Sequence, residues 1–278
     1  MSTTIADLIQ QRFGLPTDVG RSWPAEGPLA RLLAHRSHRR FTDRPVEDEV
    51  FEIVLSAALS APSKSDLQQA TIIDVREPSL RDAIQALVPA MPWMAQAPRF
   101  LVFCGDNRRL RRIAELREKP FPNDTLDMFM NAAVDAGLVL QAFIVAADAA
   151  GLGCCPISLI RNEIERLGPL LRLPQGVFPV AGLCVGYPDG PGRVGMRLPP
   201  SITVHRDRYD AEGFDTGLTA YDARRAAREP TAPDKQKYVQ RWGVAEHYTW
   251  SEDKARQYSV PERHAFGRYV RAQGFALE

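Results

Sequence analysis

Residues 127–150 limit the folds open to this chain more than any other stretch. From Asp127 to Ala150 the spacing predicts a helix that is apolar on nearly every side and closed by Gly151 as its C-cap. Such a helix needs covering all round, so it is either the central core helix or the seam of a dimer. Its small residues (Ala132, Ala133, Ala136, Gly137, Ala142, Ala146 and Ala147) permit close helix approach and favour the seam. The part nearest to a membrane span, 132–147, is interrupted by Asp135 and Gln141.

Shorter elements surround it. A first helix is followed by a Gly/Pro-rich arm up to residue 30, and Pro45 and Glu47 open a helix to about Ser60. Thr71–Val75, Phe100–Cys104 and Phe178–Tyr187 read as strands, the second and third buried, and Gly153–Ile157 as a short strand or turn. Helices are predicted at 79–88, 107–117, 161–171, 217–228 and 251–272, with Arg161 and Asn162 capping the third of these. Phe129 and Phe143 are assigned to the core. Strands and helices mix without βαβ alternation, which argues for an α+β fold. We divide the chain into an N-terminal extension (1–30), a core (31–210) and a C-terminal arm (211–278). The arm shows no core of its own, so it is expected to pack on the core and on a partner subunit.

With 35 basic and 34 acidic residues the net charge is +1, so neither nucleic acid nor a membrane surface is expected as a partner. Any anion site must be local. The four cysteines (Cys104, Cys154, Cys155 and Cys184) lack zinc-type spacing and are read as buried reduced thiols. Together with an N-terminus that has no signal-peptide core, they point to a cytoplasmic protein. Gly151-Leu152-Gly153 lacks the third glycine of a dinucleotide fingerprint, and no Walker loop, HExxH or GxSxG is present.

The local anion site has a clear candidate. His35-Arg36-Ser37-His38-Arg39-Arg40-Phe41 packs three guanidiniums and a hydroxyl into seven residues, and planar, permanently charged arginine suits a phosphate. Three further segments follow in order: SAPSKSDLQ (60–68), GLGCCPIS (151–158), and the Arg197-Leu198-Pro199 corner after VFPVAGLCVGYP (177–188). Together with YTWSEDKARQY and YVRAQGF in the tail, they resemble the nitroreductase superfamily of FMN enzymes, specifically its oxygen-insensitive NADPH nitroreductases and flavin reductases.

The resemblance implies an interlocked homodimer in which helices flank a mixed, mainly antiparallel sheet and the C-terminal arm is extended. It implies FMN as cofactor and NAD(P)H as reductant, with hydride passing through flavin N5 to small electron-poor acceptors: nitroaromatics, quinones or flavins. The flavin does the chemistry, so no catalytic side chain and no metal is expected. His35, Arg36, Ser37, Arg39 and Arg197 match residues that hold the FMN phosphate and pyrimidine edge. Pro62, Ser63, Lys64, Asp66 and Gln68 match positions that approach the flavin from the other subunit, and Pro156, Ile157 and Ser158 lie along the ring.

Three departures bear on substrate. Met91 stands where the subgroup commonly has a glutamine, and with Trp93 it makes the expected substrate side more apolar. Gly195 stands where a lysine often precedes the phosphate arginine. In the tail loop Arg241 is retained as a nicotinamide-nucleotide ligand, but Glu246 replaces a further arginine. These leave NADH and NADPH both open, with two alternatives: an enzyme dedicated to one metabolite (reduction, dehalogenation or ring oxidation), or a flavin-binding module without turnover.

Overall fold

A sheet with large apolar residues on both faces must be covered twice, and that requirement organises most of the chain. The computed structural model describes residues 3–276. Its α-helices are α1 (Ile5–Phe13), α2 (Gly27–Ala34), α3 (Asp48–Leu59), α4 (Pro78–Leu87), α5 (Arg108–Leu116), α6 (Leu126–Ala149), α7 (Ile164–Leu170), α8 (Pro200–Thr203), α9 (Phe214–Arg228), α10 (Val239–Trp242), α11 (Trp250–Tyr258) and α12 (Phe266–Ala272). Its strands are β1 (Ala70–Asp74), β2 (Arg99–Asp106), β3 (Gly153–Ile157) and β4 (Val177–Gly186). The chain forms two compact units that interleave in sequence: Met1–His35 with Val194–Glu262, and Arg36–Arg193 with Arg263–Glu278.

The larger unit holds the sheet, in the order β1-β2-β4-β3. Every strand pair is antiparallel; the only parallel pairing among the described residues is the isolated bridge Thr125–Ala276, so the sheet itself is not mixed. Alternation along β2 sends Leu101 and Phe103 to one face and Val102 and Cys104 to the other. The first face is covered by α3 and α6 through Val54, Ala58, Ala136, Phe143 and Ala147. The second is covered by α4, α7 and α12 through Ile84, Leu87, Ile164, Leu167 and Val270. Each of the larger side chains among these (Val, Ile, Leu and Phe) contributes roughly 1.5–3 kcal/mol on burial. Phe143 meets Phe51 and Phe103 edge-on, with ring centroids 6.2 and 5.7 Å away, while Phe129 packs on Phe178 at 4.5 Å and Phe275 at 5.8 Å.

Helix α6 begins at Thr125, whose hydroxyl accepts from the Met128 N–H. It ends in a Schellman turn, in which Gly151 (φ 78°) donates to the Asp148 carbonyl and Leu152 to the Ala147 carbonyl at 2.8 Å. Arg161 does not cap α7. Its guanidinium donates to the Val180 carbonyl and lies over Phe266, and the α7 N-terminus has no side-chain cap. The expected helix over 251–272 is two helices, because Pro261 cannot continue the first.

The smaller unit contains α1, α2 and α8–α11. Tyr221 and Met196 are fully buried. The Tyr221 hydroxyl donates to the Met196 carbonyl and its ring meets Trp250 edge-on at 5.4 Å. Gly14, at φ 70°, allows Met196 to sit where a Cβ would come within 2.6 Å of it.

Candidate functional site

The segment 36–41 lies along the outer edge of β3. The His38 N–H donates to the Cys154 carbonyl at 2.9 Å, Thr42 N–H to Tyr187, and Arg36 Nε to the Pro191 carbonyl at 2.6 Å. The His38 ring fits over Gly153 and Gly192, where a Cβ at either would come within about 3 Å of it. Because Cys154 presents its carbonyl outward, strand alternation also turns Pro156 outward, where its missing N–H breaks no ladder bond. Ser37 and Arg39 thereby lie beside Cys155, the residue before Pro156, Ile157 and Ser158.

Burial raises the Cys155 pKa, and the neighbouring Arg39 charge and Ser37 oppose that rise without cancelling it. The Arg39 guanidinium sits 6.0 Å from the Trp93 ring centroid. Trp93 and Met91 are half-buried against the core, and the Met91 carbonyl accepts from Gln85 Nε2. The remaining thiols are inert by burial: Cys104 is pushed up to about 12, and Cys154 and Cys184 also rise.

The loop 62–68 is built on a residue that sequence reasoning did not assign to the site. Asp135, 1% exposed on α6, accepts from Ser63 Oγ at 2.5 Å, Gln69 N–H at 3.0 Å and Lys64 N–H at 3.2 Å. Ser63 Oγ in turn accepts from the Gln68 N–H at 2.7 Å, and Gln68 Nε2 donates to Asp66. Ser65, Asp66 and Gln68 all adopt left-handed backbone (φ 52–55°), a conformation these ties hold in place. Pro62, Lys64, Asp66 and Gln68 are left exposed. The signal was visible in the sequence: an acid, Asp135, in the middle of a long and mainly apolar helix.

In the smaller unit Arg197 is exposed, and its N–H donates to the Arg12 carbonyl. Arg241 lies over Trp242 at 4.9 Å. Its loop is clasped by Gln236, which exchanges two hydrogen bonds with Ala245, and by Arg256, which donates to the Lys237 and Gly243 carbonyls. His35 closes α2, its carbonyl accepting from Arg12.

The donor chemistry fits an anionic flavin. Among the described residues Arg39, Lys64 and Arg197 pair with no carboxylate, although such pairs abound elsewhere on the surface. A cavity of about 490 Å³ lies elsewhere in the larger unit and contains none of these residues. Its arginines are already engaged, Arg81 with the Ala97 and Pro98 carbonyls and Arg99 with Asp74.

Known proteins are similar to this chain in sequence and fold. The oxygen-insensitive NADPH nitroreductase of Salmonella typhimurium is 34% identical over 249 residues, covering 88% of this chain and 96% of that protein. FMN reductase [NAD(P)H] of Bacillus subtilis is 36% identical over 197 residues, covering 70% and 79%. The solved structure of B. megaterium NfrA2 superposes with a TM-score of 0.81 at 33% identity, covering 90% of this chain and 98% of its own. Residues 32–187 match the nitroreductase family and residues 196–278 its C-terminal domain, and on these grounds the chain belongs to the nitroreductase family.

Proposed function

We propose that the protein is an FMN-dependent oxidoreductase that takes reducing equivalents from NAD(P)H and delivers them to small electron-poor acceptors such as nitroaromatics, quinones and flavins in the cytoplasm. The observation that carries this reading is the run of segment 36–41 along the edge of β3, with His38 bonded to the Cys154 carbonyl, Arg36 to the Pro191 carbonyl, and the Arg39 guanidinium 6.0 Å from the Trp93 ring. FMN, when bound, supplies the chemistry by accepting hydride at N5 and passing it on. The chain's part is to hold and orient. Arg36, Arg39 and Arg197, with Ser37 and His35, hold the phosphate and pyrimidine edge by charge-assisted hydrogen bonds. Ile157 and Ser158 lie along the ring, Met91 and Trp93 form the apolar substrate side, and Arg241 receives the nucleotide.

The loop Pro62–Gln68 serves the flavin of a second copy. Its anchor, Asp135, lies on α6, whose outer face carries Leu126, Met130, Val134 and Leu138 at four-residue spacing. Gly137 stands on the same face with open space where a Cβ would be. A stripe of large apolar side chains flanking such a gap suits a second α6 in a homodimer. Val134→Arg is expected to halve the mass measured by sedimentation equilibrium while leaving the far-UV circular dichroism unchanged. A variant that sediments with the parent would remove α6 from the seam.

The test of function is the visible spectrum of the purified protein, followed under nitrogen as NADH and then NADPH is added. A flavin band bleached by at least one nucleotide and restored by a quinone is expected. A band bleached only by dithionite would leave a binding module without turnover.

A further inference from the structure

Arg12 is a buried charge that the flavin site as described so far does not use. It lies on α1, ahead of the residues that match the family, and is 6% exposed. Four of its five N–H groups donate to main-chain carbonyls: Nε and Nη2 to Leu33 at 2.9 and 2.6 Å, Nη2 to His35 at 2.5 Å, and Nη1 to Gly195 at 2.9 Å. Carbonyls satisfy the donors but leave the charge uncompensated, and burying an uncompensated guanidinium is costly. Among the described residues no carboxylate meets it.

Its charged neighbours increase the cost. Burial lowers the Arg12 pKa, and the charges of Arg197 and Arg228 lower it further. Arg228 donates to the Gln11 and Val194 carbonyls, so it too brings charge and no counter-charge. The guanidiniums of Arg12, Arg197 and Arg228 are thus gathered around 194–197, and the acid beside them, Glu229, is buried and ion-paired to Arg225 at 3.6 Å. Such a field is stabilised by an anion arriving from outside.

Placement says which anion. The Arg12 carbonyl accepts from the Arg197 N–H at 2.9 Å, so residue 12 grips the phosphate arginine by its main chain and, through Gly195, by its side chain. Its other two acceptors are in the last turn and cap of α2, the residues leading into Arg36. Gly195 is also where the expected lysine is missing. A Cβ there would make ordinary contact with Arg197 at 3.4 Å, so space does not demand glycine.

We propose that Arg12 is a positioning residue for the phosphate end of the flavin, supplying from the N-terminal extension the second positive charge that Gly195 does not. The ligand class is a phosphate monoester dianion, and the inference rests on the FMN reading above. Arg12 acts on the phosphate through Arg197 and through its field, without touching it.

Riboflavin, which lacks the phosphate, separates this role from a purely structural one. The apoprotein is titrated with FMN and with riboflavin, following flavin fluorescence. The parent is expected to prefer FMN strongly; equal affinity for the two would sink the FMN reading itself. Arg12→Met is expected to weaken FMN binding about tenfold or more and riboflavin binding less than about twofold, with Arg12→Lys recovering most of the loss. Equal losses for both ligands, or an unchanged ratio, would overturn the role of Arg12 while leaving the flavin site standing. If Arg12→Met does not fold, the exposed Arg228→Gln reads the same field: its FMN-to-riboflavin preference should fall severalfold, and an unchanged preference overturns the proposal.

Discussion

Arg36→Ala is expected to purify with most of its flavin lost and to rebind FMN about tenfold to a hundredfold more weakly than the parent. A hydrogen bond to a charged group is worth about 1.5–3 kcal/mol, and removing the guanidinium takes away both the bond and the charge. The Nε bond of Arg36 to the Pro191 carbonyl restrains its side chain, which lowers the entropy lost when it meets a ligand. Flavin content per subunit and a fluorescence titration of the apoprotein check the expectation. A variant that purifies fully loaded and titrates like the parent would place the phosphate elsewhere.

Asp135→Ala should cause the second large effect, this time on stability. The substitution leaves the Ser63 hydroxyl and the Lys64 and Gln69 amides without their acceptor, in a site where water has little access. One unsatisfied buried donor costs about 1–3 kcal/mol, so a total near 3 kcal/mol is expected once the loop relaxes. For a chain of this size that is a fall in Tm on the order of 10 °C. Thermal unfolding followed by circular dichroism measures it. Asp135→Asn should recover only part of the loss, because its amide group presents two donors to a ring of donors. A change below about 0.5 kcal/mol in either variant would mean that the loop holds its left-handed residues by other means.

Much of this architecture is legible in the residues themselves. The alternating or continuous apolar runs at 71–75, 100–104, 153–157 and 178–187 are strands, and the long apolar run ending at Gly151 is the helix that carries the core. What escaped has identifiable causes. Helix α2 starts at Gly27-Pro28, residues that read as loop punctuation, and is only eight residues long with Leu29 and Leu32 exposed. Asp135 is conspicuous by composition, but its acceptor role depends on amides more than sixty residues away. Arg12 looks like an ordinary base in the last turn of an amphipathic helix. Its burial depends on a carbonyl 183 positions downstream, and no local pattern encodes such a contact. The phosphate cluster was readable because its chemistry is written in consecutive side chains; its backing was not, because that backing is main chain.

The interleaving of the two units bears on how the protein is made. Phe275, 2% exposed, packs against Phe129 and Phe178, and Tyr269 and Val270 belong to the same core. During synthesis the sheet, α6 and α7 leave the ribosome well before these closing residues are translated, and the second face of the sheet is left partly bare meanwhile. A nascent chain in that condition exposes apolar surface and is a substrate for chaperones. Ribosome pausing within the segment that encodes 194–262 would prolong that exposure, whereas pausing before β4 would not.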